Sequence, residues 1–285
     1  MTHHSRLNLI MLVTIGGLAI FLYFRPQSAA IQQYSISATT ADAIQSLRIL
    51  NKHQEIVLKQ SNNQWHLIEP VQVRADEEKI GKILEILTAS SYQRLALENL
   101  ERFGLDQPYL QLHVDNEYFG FGGFSPTTHQ QYLATNDFAY LISPRYALAL
   151  PVAAIDLINP GLLVSDEIPV RFEMERWTAE FQNDGWHMTK HYSDDGFGDE
   201  ILTKWIQLWQ TARAEALKLE DELDSDWIET GVIRISLQSG KVIGFKILQN
   251  KYSLVLLRMA EGIGYQFPTK LGQRLINPRA IVLNQ

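Results

Sequence analysis

The feature that most constrains this chain is that it repeats itself. Trp65-His66-Leu67 returns as Trp186-His187-Met188, and Asp76-Glu77 returns as Asp199-Glu200. Thr88-Ala89 returns as Thr211-Ala212, Gly120-Phe121 as Gly244-Phe245, and Tyr140 as Tyr265. The offset drifts from about 121 to about 125 residues, as small loop insertions would make it. One unit of roughly 110 residues therefore sets the fold twice.

Each copy opens with short segments of alternating polarity, the period of a half-buried strand. These are Ser46–Leu50, Glu55–Lys59 and Gln64–Ile68 in the first copy, and Val170–Met174, Thr178–Gln182 and Trp186–Lys190 in the second. Asn62-Asn63 and Asn183-Asp184-Gly185 stand where hairpin turns belong, because these residues tolerate positive φ. A helix follows in each copy. Ile80, Ile83, Leu84 and Leu87 form one apolar face, with Asp76 as its N-cap or a first-turn acid; Ile201, Leu202, Trp205, Ile206 and Trp209 form the other. Further strands are predicted at Leu110–Val114, Tyr118–Phe121 and Ala139–Ile142, and at Val232–Leu237, Val242–Ile247 and Ser253–Arg258. Strands on both sides of one helix predict an α+β unit, a largely antiparallel sheet with one main packed helix. Prolines 151, 160 and 169 punctuate the stretch between the copies. The expected repeats are 34–160 and 161–285, divided at Pro160.

The N-terminus supplies an address. Leu7–Phe24 contains no charged residue, and at 1.5 Å per residue a helix of that length spans roughly 27 Å, close to a hydrocarbon core of ~30 Å. Phe21, Tyr23 and Phe24 sit at its far end, where an aromatic belt would lie. Residues 1–33 are expected to be a transmembrane anchor plus a short polar tether. Two other readings stand beside this one: a cleaved signal with Ser28-Ala29-Ala30 at the cut, and a buried core helix. Arg6 and Arg25 nearly balance across the span; the favoured topology has the N-terminus in the cytoplasm and the body outside, single-pass. Thr14, Gly16 and Gly17 form a small-residue surface on which a partner helix could pack, so Gly16 and Gly17 are candidate partner contacts.

Composition removes several classes. The net charge of −7, from 25 basic and 32 acidic residues, disfavours nucleic-acid binding, which needs a basic face. The absence of cysteine excludes disulfides, thiolate metal sites and cysteine nucleophiles. No G-x-S-x-G or H-E-x-x-H pattern occurs, and no catalytic, cofactor or metal residue is assigned.

Four segments hold residue types that can carry chemistry. His187 and His191 with Asp194 and Asp195 are of metal-ligand type, but on a strand the two histidines stand roughly 13 Å apart. Asp194–Glu200 is acidic and glycine-rich without EF-hand spacing; the simpler reading is a loop ending in Asp199 as a helix cap. Phe119–Phe124 alternates aromatics with glycine but runs into Ser125-Pro126 rather than a helix, which fits a strand edge or hairpin better than a phosphate cradle. Glu215–Glu229 carries seven acids and reads as a solvated helix end and loop, or as a contact for a basic partner. Trp65 and Trp186 read as core anchors at equivalent strand starts, with a binding groove shared by both repeats as the alternative.

Three local motifs resemble the bacterial domain-of-unknown-function family 4340. They are Trp65-His66-Leu67-Ile68-Glu69-Pro70, then Ala75-Asp76 opening a helix, then Phe103-Gly104-Leu105-Asp106-Gln107-Pro108. The family-motif residues are thus Trp65, Pro70, Asp76, Gly104, Leu105, Asp106, Pro108 and the repeat partner Trp186. The second copy departs from the pattern, showing Glu222-Leu223-Asp224-Ser225-Asp226-Trp227 instead. The resemblance implies a bacterial inner-membrane protein with its body in the periplasm, an accessory of a complex such as an ABC-type transporter. It implies no catalytic residue. A periplasmic module for a small molecule, glycan or lipid held between the repeats is the alternative, and a hydrolase the third.

Overall fold

A computed structural model of the chain describes residues 3–23, 32–183, 185–190 and 198–284. The apolar N-terminal segment is one continuous helix, α1 (His3–Tyr23). Its described side chains, at 11–21 and 23, are all exposed. Among the described residues no helix is long and apolar enough to cross a membrane. The Ser28-Ala29-Ala30 segment lies outside the described residues.

After α1 come β1 (Tyr34–Ser35), β2 (Ser46–Asn51), β3 (Glu55–Ser61), β4 (Gln64–Glu69) and β5 (Val73–Arg74), then helix α2 (Glu77–Leu84). There follow β6 (Ser90–Ser91), β7 (Arg94–Leu95), β8 (Leu110–Val114), β9 (Glu117–Phe124), β10 (Gln131–Ala134), β11 (Ala139–Ile142) and the single turn α3 (Arg145–Leu148). Then come β12 (Pro169–Met174), β13 (Trp177–Gln182), β14 (Gly185–Lys190), α4 (Asp199–Thr211), β15 (Ala216–Leu219), β16 (Ile228–Leu237), β17 (Val242–Gln249), β18 (Ser253–Arg258), β19 (Ile263–Pro268) and α5 (Thr269–Ile276).

The strands form two large sheets. One has nine strands in the order β5-β4-β3-β2-β8-β9-β10-β11-β7; the other has eight in the order β14-β13-β12-β16-β17-β18-β19-β15. Leaving out β5, the two orders are the same strand for strand, with α2 and α4 at the same point of the chain path. The pairings within both are antiparallel. The α+β class and its antiparallel sheets follow from the alternation in the sequence. A small β1–β6 pair stands apart.

Each helix buries its apolar stripe on one face of its sheet. Ile80, Ile83 and Leu84 of α2 join Leu47, Ile49, Leu58, Phe119 and Phe121; Leu202, Trp205, Ile206 and Trp209 of α4 join Phe172, Ile233, Ile235 and Phe245. These residues belong to one continuous core shared by both copies. Asp76 caps α2, its carboxylate accepting from Glu78 N at 3.1 Å. In the second copy the cap position falls to Gly198, and Asp199 is instead the first helical residue, where a helix N-terminus still favours a carboxylate.

The opposite faces explain two sequence features. The Gly104-Leu105-Asp106-Gln107-Pro108 turn lies across β9. Gly104 sits at φ +66, and a Cβ on Gly122 would meet Phe103 O at 2.5 Å and Leu105 Cδ2 at 2.7 Å. A side chain there would lift the turn off the sheet. The aromatic-glycine alternation of Phe119–Phe124 is therefore the landing for that turn, on the second strand of the β8–β9 hairpin, which is interior to the sheet rather than at its edge. In the second copy Leu223 and Trp227 cover Leu248, Val255 and Leu257 in the corresponding place. The Leu-Asp pair persists as Leu223-Asp224 although the glycine does not. The acidic run is accordingly no helix end: it holds β15, a 3-10 turn at Glu220–Glu222 and the start of β16.

Candidate functional site

The place where the two sheets meet is built from a segment that the sequence marked only by its prolines. Residues 157–163 are buried or half-buried and stitched on both sides. Asp76 N donates to Leu157 O (2.7 Å), and Asn159 N donates to Arg74 O (3.0 Å). Leu162 N donates to Ala212 O (3.3 Å), and Ala214 N donates to Pro160 O (2.8 Å). Ala75 bridges Ile158, and Gly161 bridges Arg213. The connection thus runs as a strand-like seam, β5 and the start of α2 on one side and the end of α4 on the other.

At this seam lies a cluster of buried charge. Arg74 of β5 reaches out of the first sheet. Its Nη1 stands 3.1 Å from Glu167 Oε2 and its Nε 3.1 Å from Glu261 Oε1. Its Nη2 donates to Tyr265 Oη (2.6 Å) and to Gly161 O (3.3 Å). Arg258, at the end of β18, donates to Leu162 O (3.1 Å) and grips both oxygens of Glu167. Its Nε lies 3.1 Å from Glu261 Oε1, a charge contact without the alignment of a hydrogen bond. Tyr265 donates to Glu261 Oε2 at 3.3 Å. Two guanidinium groups and two carboxylates cancel. The Arg258 side chain is 1% exposed, and the other three charged partners only about a tenth.

The environment fixes the ionisation of these groups. Burial works against the charge of Glu167, but its bonds to Arg258 and the nearby charge of Arg74 outweigh that and hold the carboxyl below the usual carboxylate range. Burial also opposes the charge of Arg74; Tyr265, Glu261 and Glu167 together raise its pKa all the same. Burial pushes the Tyr265 hydroxyl up to about 12. Such groups are poor acid–base catalysts near neutrality, because none is poised to exchange a proton there. The cluster works instead as a lock: Arg74 comes from the first copy, Arg258, Glu261 and Tyr265 from the second, and Glu167 from between them.

Two adjoining clefts flank Arg74, of about 590 Å³ and about 660 Å³. The first is lined by Trp65, His66, Glu77, Gln210 and Arg213 among others, the second by Lys59, Gln60, Lys241 and Glu261 among others. Arg213 pairs with Asp76 at 3.3 Å, and Glu77 accepts from Trp65 N at 2.7 Å. The walls mix amides and charges with aliphatic side chains such as Leu163, Val164 and Ile243, and Trp65 is the one large aromatic among them. A deep aromatic cleft between the repeats, which would favour ligand capture there, is not what the junction offers.

Of the residues singled out from the sequence, Trp65 and Asp76 stand beside the junction, Trp65 buried on β4. Pro70 follows the end of β4 through a cis peptide bond. Gly104, Leu105, Asp106 and Pro108 belong to the turn over β9, and Trp186 is buried on β14. Gly16 and Gly17 lie on α1, where a Cβ would meet no neighbouring atom within 4 Å. His187 is exposed on β14, while His191, Asp194 and Asp195 lie outside the described residues. Among the described residues no group of three metal-ligating side chains comes together. The sequence reading missed Arg74, Glu167, Arg258 and Glu261, and valued Tyr265 only as a repeat marker. One signal was present: Arg258 ends Leu254-Val255-Leu256-Leu257, and a cation closing so apolar a strand needs a buried partner.

No curated protein and no solved structure matches the chain. A family model does: residues 65–198 match the domain of unknown function DUF4340, from β4 of the first copy to the start of α4. The matched stretch contains the Trp65, Asp76 and Gly104 motifs and the whole seam between the sheets. Through residues 65–198, then, the chain is matched by the DUF4340 family model, the family its Trp65, Asp76 and Gly104 motifs resemble.

Proposed function

We propose that the chain is a membrane-anchored extracytoplasmic interaction protein of the bacterial inner membrane. It would present its two-copy body as one rigid surface to a membrane complex such as an ABC-type transporter. The observation that carries this reading is the state of α1. Met11, Leu12, Val13, Ile15, Leu18, Ile20 and Phe21 are between 55% and 70% exposed and point in every direction around the helix. In water each would forgo roughly 1.5–3 kcal/mol of burial. As a helix the uncharged run Leu7–Phe24 would be roughly 27 Å long, near the ~30 Å of a hydrocarbon core, which would take up that surface. The locked junction supports the second half of the reading, since a scaffold must hold its binding surfaces in fixed relation.

The test is extraction of native membranes with alkaline carbonate. The full-length chain is expected in the pellet, and a chain lacking residues 1–33 in the supernatant. Release of the full-length chain would sink the anchor. In vivo crosslinking in the same cells, followed by mass spectrometry, is expected to return a membrane-protein partner. Gly16→Leu together with Gly17→Leu is expected to weaken that crosslink while leaving the pelleting unchanged.

A further inference from the structure

The first copy carries a third cleft, remote from the junction. It lies between the β2–β3 turn, the end of β9 and the loop that follows α3, and measures about 480 Å³. Its rim holds large apolar side chains in water: Leu148 is 83% exposed, Val152 77%, Phe124 58% and Tyr109 44%. Its base is formed by the buried Leu110 and Leu150. A contiguous exposed apolar surface on a folded domain commonly marks a binding site, and this volume falls within the range of small-ligand pockets.

The exposure is not that of a loose loop. Asn51 Nδ2 and Gln54 Nε2 both donate to Val152 O, at 3.1 and 3.0 Å. Asp156 Oδ2 accepts from Val152 N (3.1 Å) and Ala153 N (2.9 Å). These bonds fix the backbone that puts Val152 into solvent.

The cleft also has a polar end. Gln131 lines it and is completely buried; its Nε2 donates to Tyr109 Oη (2.9 Å) and Gly122 O (3.1 Å). The Gly122 carbonyl fixes the amide that way round; Oε1 stays buried and, as an acceptor, gives an anion no bond, so the donor at this end is the Tyr109 hydroxyl. Tyr109 Oη accepts from Gln131, which leaves its own proton for a further acceptor. Lys52 and His53 stand exposed on the wall, and among the described residues no carboxylate lines the cleft. Asp156, close by, is occupied by the two amides it accepts.

We propose that this cleft binds a single-chain amphiphile with an anionic head, an acyl carboxylate. The alkyl chain would cover Phe124, Leu148 and Val152, and the head would take the Tyr109 proton and the charge of Lys52. This inference does not rest on the membrane reading of α1, and its failure would leave that reading untouched.

The experiment uses the full-length chain in nanodiscs of zwitterionic lipid and a palmitic acid analogue carrying a photoreactive diazirine. After illumination the labelled peptides are mapped by mass spectrometry. Labelling is expected to concentrate on peptides containing Tyr109, Phe124 or residues 148–152. A tenfold excess of palmitate is expected to remove it, and the same excess of hexadecanol to leave most of it. Leu148→Asp with Val152→Asp is expected to lower it at least tenfold, and Lys52→Glu several-fold; all three positions are exposed, so the fold is expected to stand. Labelling confined to α1, spread evenly over the body, or unchanged in both variants would overturn the proposal.

Discussion

The two copies share one strand order yet fill their cores differently. The first packs aliphatic side chains from α2 and the 3-10 turn after it, Ile80, Ile83, Leu84, Ile86 and Leu87, around a single tryptophan, Trp65. The second packs a chain of aromatic rings: Phe172 lies 4.7 Å from Trp205 and 5.4 Å from Trp209, and Trp209 lies 5.7 Å from Phe245, each in an edge contact. Both indoles of α4 donate to one carbonyl, Leu275 O, at 2.9 Å, which ties α5 to the core. The lesson is that topology was kept by polarity pattern and turn position, while the volume inside was free to change. What the second copy gained in ring packing it also gained in a buried cation, Arg258, which shares Glu261 of its own copy and Glu167, just past the seam, with the first copy's Arg74. The copies are therefore interdependent, not two similar beads.

Breaking that dependence is expected to have the largest effect. Glu167→Gln leaves Arg258 buried beside half its counter-charge and is expected to cost about 3–5 kcal/mol, measured by urea unfolding. Trp209→Ala opens a hole in the aromatic core and is expected to cost about 3–5 kcal/mol on the same scale. The first variant is expected to weaken the joining of the copies, the second the second copy itself.

The pH dependence sharpens the same point. The Glu167 carboxyl is held below its usual range in the folded state, so its contribution is present above the unfolded pKa and is lost as pH falls through the lower folded value. Tyr265 is raised to about 12, so its contribution is complete below an unfolded pKa near 10 and is lost as pH rises towards about 12. That alkaline loss is on the order of 2–3 kcal/mol. Tyr265→Phe is expected to flatten the stability curve between about pH 10 and 12; an unchanged curve would dissociate Tyr265 from the lock.

The smallest effects lie at the helix starts. Asp76→Ala removes the cap of α2 and is expected to cost about 1 kcal/mol. Gly198→Ser supplies α4 with a capping hydroxyl at an open position and is expected to gain a few tenths of a kcal/mol. Thermal melts of the two variants, moving in opposite directions, would measure how far the copies differ at that one site.

Much of this fold could be read from the sequence because it is local. Alternation placed β2, β3, β4, β8 and their partners, and the Trp205-Trp209 stripe placed α4. Of the strands it missed, β19 does alternate, Ile263, Tyr265 and Phe267 against Gly264, Gln266 and Pro268, and went unread; the others are too short to show a period. β5 and β7 are two residues long, and β18, though found, is buried at all six positions because α5 covers one face and Leu223 and Trp227 the other. The junction stayed hidden for a different reason. Its ion pairs join residues far apart in the chain, 187 positions from Arg74 to Glu261, and no spacing rule reaches that distance. The seam at 157–163 read as a linker because its prolines were visible and its partners were not.

The claim on which the scaffold half of the functional reading rests is that both copies form one body. Five of the six tryptophans lie in the second copy, so intrinsic fluorescence during urea unfolding follows that copy, while amide hydrogen exchange of the β2, β3 and β8 peptides follows the first. For the full-length chain in nanodiscs the two signals are expected to change together, at one midpoint, and to separate in Glu167→Gln. Two separate midpoints in the unaltered chain would contradict the account, because copies that unfold independently are not held by the lock between them.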